Sequence, residues 1–119
     1  MKSGFFITFS GNCREALEFY QKCFGGRLQI QAFDISIERP VVVLGSLVSE
    51  NITIHGSDLR HDEGRIAGNH LAVFMHCENV DERKALMENL VSGSSISEDK
   101  DLKLIEFVDS FDVRWVLAV

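Results

Sequence analysis

The chain has 119 residues, 45% of them hydrophobic and 25% charged, with a mean hydropathy close to zero. That length suits one domain able to bury its own core, and the sequence holds no apolar run of the about 18 residues that a transmembrane helix needs. Eighteen acidic against 12 basic residues give a net charge of -6, and the basic residues are scattered, so the concentrated positive surface that tracks a nucleic-acid backbone is excluded.

MKSGFFITFSGN at the start lacks an apolar stretch followed by small-residue cleavage chemistry. Three cysteines, Cys13, Cys23 and Cys77, form no CxxC pair. Together these predict a cytoplasmic protein without a disulfide framework. GFFITFS (4–10) predicts a buried strand from its Phe, Ile and Thr. Asn12, with Glu15 three residues on, has the pattern of a capping box. Ala16, Leu17, Tyr20, Cys23 and Phe24 then recur at helical spacing until Gly25-Gly26 ends the helix. RLQIQAFDIS alternates in part and predicts a strand. Beyond Pro40, VVVLGSLV (41–48) and NITIHGS (51–57) predict two more around a turn near Glu50-Asn51. The order is β-α-β-β-β.

The second half repeats that order. A polar loop (59–68) leads into NHLAVFMHC (69–77), which reads as a strand. Asn79 and Glu82 form a second capping-box pattern, opening a helix whose stripe is Ala85, Leu86 and Leu90 and whose end is near Ser92-Gly93. SSISED, LKLIEFV and VRWVLAV predict three further strands. The expected architecture is α+β: a single domain of two βαβββ modules, module one over 1–58 and module two over 69–119.

ITFSGNCREALEFYQKCFGG resembles the opening of glyoxalase/bleomycin-resistance proteins of the vicinal-oxygen-chelate superfamily, and especially its PhnB-like branch. ITIHGSD (52–58) and DSFDVRW (109–115) are similar to two later segments of that branch. The resemblance spans nearly the whole chain. It implies curved sheets enclosing a cleft, a small-molecule ligand and a homodimer. In metal-dependent relatives it also implies ligands from the first and last strand of each module, usually His and Glu. Matched position by position, those places hold Phe5, then Thr53 or His55, then His70, then Val116. At most two metal ligands remain, His55 and His70, whereas a catalytic zinc ion usually keeps three protein ligands and iron oxygenases a two-His-one-carboxylate set.

His76 does not complete the set. On a continuous strand His70 and His76 share a face but stand roughly 20 Å apart at about 3.3 Å per residue. The resemblance, through the strands that line the cleft in that family, implies a ligand pocket of Phe5, His55, His70, Phe74 and Trp115, with no cofactor and with a divalent metal on His70 and His55 as the alternative. His61 and His76 read as solvated. Cys13, in the first turn of a capped helix, sits where the dipole can lower a thiol pKa; partial burial is the competing reading, and Cys23 reads as core. Glu106 is either a buried general acid or base or an outward-facing strand residue. Two functions stand: small-molecule binding without a working metal site, or a metal-dependent glyoxalase-type lyase or isomerase acting on vicinal oxygens. No membrane or nucleic-acid partner is expected.

Overall fold

The computed structural model describes residues 1, 3–33, 42–59, 65–66, 68–91 and 101–119. Its elements are β1 (Phe5–Phe9), α1 (Cys13–Phe24), β2 (Arg27–Phe33), β3 (Val42–Val48), β4 (Thr53–Asp58), β5 (Val73–His76), α2 (Val80–Leu90), β6 (Leu104–Val108) and β7 (Arg114–Ala118). The class is mixed α+β, as expected. The SSISED strand (94–99), the Ser92-Gly93 helix end and His61 lie outside the described residues. The chain divides into two compact units, Met1–Ile66 and Ala67–Val119.

Unit 1 holds a four-stranded sheet in the order β1-β4-β3-β2, with β1 parallel to β4 and the other pairs antiparallel. Period-two alternation sorts its side chains onto two faces. Phe9, Val43, Leu47 and Ile54 fall on one, and with Cys13, Ala16, Leu17 and Tyr20 of α1 they make the core. Gly45 lies where α1 crosses: a Cβ there would stand 2.6 Å from the Leu17 Cδ1 and 3.0 Å from the Gln29 carbonyl oxygen, so a larger residue requires Leu17 to shift. The helix ends at Gly25, whose φ of 71° is the left-handed conformation that glycine adopts without steric cost.

The start of α1 departs from expectation. The Asn12 side chain makes no capping bond. Asp58, the last residue of β4, takes that role across 45 positions of sequence. Its Oδ1 accepts the backbone N–H of Gly11 at 3.0 Å and of Cys13 at 2.9 Å, and its Oδ2 accepts the N–H of Val43 at 3.2 Å. A carboxylate satisfies the orphan amides of the helix and also faces the positive end of the helix dipole, which a neutral amide does more weakly.

Unit 2 contains a sheet of three described strands, ordered β5-β7-β6, with β5 parallel and β6 antiparallel to β7. Asn79 caps α2 as expected: its side chain accepts the Glu82 N–H at 2.8 Å, and the Glu82 carboxylate reaches back to the Glu78 N–H at 3.0 Å. The stripe differs. Arg83, Met87 and Leu90 are buried, Leu86 is half-buried and Ala85 is exposed. Arg83 is fully buried because its aliphatic stem packs while Nη1 donates to the Leu102 carbonyl at 2.8 Å. β5 is also shorter than expected and begins at Val73, so His70 precedes it and the strand geometry that placed His70 and His76 on one face does not apply.

Asp109 does in unit 2 what Asp58 does in unit 1. Oδ1 accepts the N–H of Phe111 at 2.8 Å and of Val113 at 3.1 Å, and Oδ2 accepts the Trp115 indole N–H at 2.8 Å. Both carboxylates are about 95% buried and each serves three N–H donors. Asp58→Ala leaves three donors without that acceptor. Since hydrogen bonds to a charged group contribute roughly 1.5–3 kcal/mol each and do not add fully, the variant should lose at least about 2 kcal/mol in a urea titration. Asn12→Ala should lose less than about 0.5 kcal/mol, within the range of ordinary surface changes.

Candidate functional site

The face of the unit 1 sheet opposite α1 carries an ordered mixture of polar and apolar side chains. Register places Gln29 beside Ser46, Ser46 beside His55 and His55 beside Phe6, one row across all four strands. The next row pairs Arg27 with Val48 and Val48 with Thr53. Ser46 Oγ and His55 Nδ1 are 2.7 Å apart, a hydrogen bond that fixes the imidazole plane. A hollow of about 340 Å³ lies over this face, lined by Arg27, Gln29, Ser46 and Val48. Phe6, Leu44 and Val48 are exposed around it.

The expected pocket residues fall in different places. His55 is on the open face of unit 1. Phe5 is on the other face, level with Ile54, and the β1 side chain beside His55 is Phe6. One residue of displacement along a strand exchanges the faces. Phe74 is on the open face of unit 2, 54% exposed, level with Val116. Trp115 is wholly buried on the opposite face with its N–H on Asp109. His70 is exposed ahead of β5, and His76 is exposed at its end, as expected. Arg27, Gln29 and Ser46 were not singled out from the sequence. The alternation of Arg27, Gln29 and Gln31 put them on one face, but their pairing with Ser46 and Val48 required the register.

Two chemical readings of single residues resolve. Glu106 faces outward and pairs with Arg114 on the neighbouring strand. Cys13 is fully buried, and its thiol is pushed up to about 12, first by burial and then by the Asp58 carboxylate, with Arg14 opposing. A lowered pKa required the helix dipole to act on the thiol. Instead Asp58 occupies the amide cluster at that helix end and adds a negative charge beside the sulfur. Cys13 is a neutral core thiol. Cys23, expected in the core, is half-buried.

Metal-binding capacity follows from the same geometry. Among the described residues, no three His, Cys, Asp or Glu side chains converge. On the open face of unit 1 the one soft donor is His55, with hydroxyls and Phe6 as its cross-strand company.

No protein-family model matches the sequence, and no curated protein does. Solved structures do. The chain aligns over 99% of its length with protein PA1353 from Pseudomonas aeruginosa, covering 96% of that chain at 20% identity and a TM-score of 0.78. A PhnB protein from Bacillus cereus matches at TM-score 0.73 and 18% identity, over 99% of this chain and 98% of that one. The fosfomycin resistance protein FosX from Listeria monocytogenes matches at TM-score 0.62 and 12% identity, over 99% and 91%. The chain has the glyoxalase/bleomycin-resistance-like fold. These neighbours belong to the vicinal-oxygen-chelate superfamily that the sequence motifs resemble. FosX has also been crystallised with Mn(II) and sulfate.

The raised Cys13 pKa carries a stability consequence. The folded state holds the thiol proton more tightly than the unfolded chain, whose thiol titrates near 9.0. Its contribution is therefore fully present below pH 9 and is lost as pH rises toward about 12. Urea titrations should show stability falling from pH 8 to pH 10 more steeply in the native sequence than in Cys13→Ala. In native protein at pH 8 a thiol reagent should modify Cys23 and leave Cys13 untouched.

Proposed function

We propose that the protein binds a small, partly apolar molecule bearing an oxyanion on the open face of unit 1, without a resident metal. The observation that carries this reading is the hollow lined by Arg27, Gln29, Ser46 and Val48. Arg27 supplies a cation, the Gln29 amide and Ser46 hydroxyl supply donors, and the exposed Val48, Leu44 and Phe6 supply an apolar surround. Small-molecule sites are built this way, from a few convergent polar groups in an apolar frame of roughly 300–1,000 Å³. The fold supports the reading because its members include a fosfomycin resistance protein. The working form is a homodimer, the state that the family resemblance implies, and its sparse cysteines without a CxxC pair suit the cytoplasm.

A second reading, a metal-dependent lyase or isomerase acting on vicinal oxygens, is favoured by one observation: FosX of the same fold takes up Mn(II). In this chain His55 and His70 are the imidazoles that would serve it.

Phenylphosphonate and inorganic phosphate separate the contributions to binding. Calorimetric titration should give saturable binding of both, tighter for phenylphosphonate because of the apolar surround, and Arg27→Gln should weaken both by about tenfold or more, the loss of one charge-assisted contact. Absence of binding by either anion, or binding indifferent to Arg27→Gln, refutes the oxyanion site. For the metal reading, chelator-treated protein is titrated with Mn²⁺, Zn²⁺ and Ni²⁺ in a thermal-shift assay. Binding only to the native state adds about 2.7 kcal/mol at 100 times Kd. A gain of that size, abolished by His55→Ala or His70→Ala, would replace the metal-free reading with the second one.

A further inference from the structure

The turn between β6 and β7 sets two opposite charges beside one hollow. Asp112 has a φ of 61°, the one left-handed non-glycine among the described residues. Glycine takes that conformation freely, and an L-residue pays for it sterically even though Asp tolerates it better than most. The Asp112 carboxylate does not repay the cost locally. Asp109 is the residue that accepts the turn's amides, and the Asp112 backbone N–H goes to the Asp109 carbonyl at 3.2 Å. No hydrogen bond or ion pair engages the Asp112 side chain among the described residues.

Two residues on, Arg114 shows a second cost. Its Nη1 is held by Glu106 across the strand pair, while its Nε is shielded from water and has no acceptor among the described residues. A buried donor left in this state is unfavourable and calls for an explanation. Asp112 and Arg114 both line one hollow of about 420 Å³, together with Gly68, Asn69 and Val108. The two opposite charges border the same space without closing on each other. Opposite charges that border one hollow without pairing with each other can each meet a charge of a ligand placed between them.

We propose that this hollow binds a small zwitterion of the α-amino-acid kind, its carboxylate on the Arg114 guanidinium and its ammonium on the Asp112 carboxylate. A molecule carrying both charges bridges groups that do not reach each other. Glu106 positions the guanidinium from behind, which restricts the ligand carboxylate to the remaining edge of the fork. The Asn69 amide offers a further donor and acceptor, and Val108, 44% exposed, offers apolar contact to a short alkyl side chain. Arg27, Gln29, Ser46 and His55 take no part in it, so the two sites stand or fall separately.

The test uses the full chain and amide NMR spectra with L-alanine as the probe, beside its singly charged analogues propionate and ethylammonium. L-alanine should shift the amide signals of Gly68, Asn69 and Asp112 saturably at millimolar concentration, with each analogue at least about tenfold weaker. Asp112→Asn keeps a residue tolerant of left-handed backbone and removes the charge, so it should weaken L-alanine by about tenfold or more, as should Arg114→Gln. Asp112→Gly relieves the backbone and should raise Tm by a few degrees while losing the probe. No saturable shift with L-alanine, propionate binding as tightly as L-alanine, or full binding by Asp112→Gly would each overturn the zwitterion site.

Discussion

Unit 1 depends on a carboxylate buried at the end of its last strand. Asp58 ties the entry of α1 to β3 and β4 at once, because its two oxygens reach amides of Gly11, Cys13 and Val43. Removing a carboxylate from water is costly unless it is fully hydrogen-bonded, and three N–H donors with a helix terminus supply that compensation. The consequences spread outward. The helix start is held against the sheet, Cys13 becomes a core thiol rather than a nucleophile, and the polar half of β4 is left facing the other way. His55 and Ser57 are on the open face because Ile54, Gly56 and Asp58 are committed to the closed one.

Asp109 repeats the arrangement in unit 2 with different donors, two turn amides and the one indole of the chain. Both aspartates lie in the segments that carry the family resemblance, ITIHGSD and DSFDVRW. These two aspartates are thus scaffold. They determine how the strands end and which side chains turn toward open space, and they touch no open face themselves. Residues that hold strand ends and turns bear on the fold, and an activity depends on other positions.

The open faces are where this chain becomes individual. Unit 1 presents Arg27, Gln29, Ser46 and His55 among exposed apolar residues, and unit 2 presents Phe74, Val116 and the Glu106–Arg114 pair. Phe6 stands beside His55 on the first face and Val116 beside Phe74 on the second, side chains with no donor atom.

The sequence by itself determined the order of the described elements, the second helix cap and the class of fold. Those depend on local periodicity and on capping pairs three residues apart, which are legible in any short window. Other features were decided by contacts between distant segments. Asp58 displaced Asn12 as the cap of α1, and Arg83 entered a core from which its charge seemed to bar it. The pairing of β1 with β4 set Phe6 rather than Phe5 beside His55, and β5, which begins at Val73, left His70 outside it. Register between β2 and β3 brought Arg27 and Gln29 beside Val48 and Ser46. In each case the physical reason is the same: a side chain's partner is chosen by hydrogen bonding and burial across the fold, and alternation with period two makes the outcome turn on a single residue.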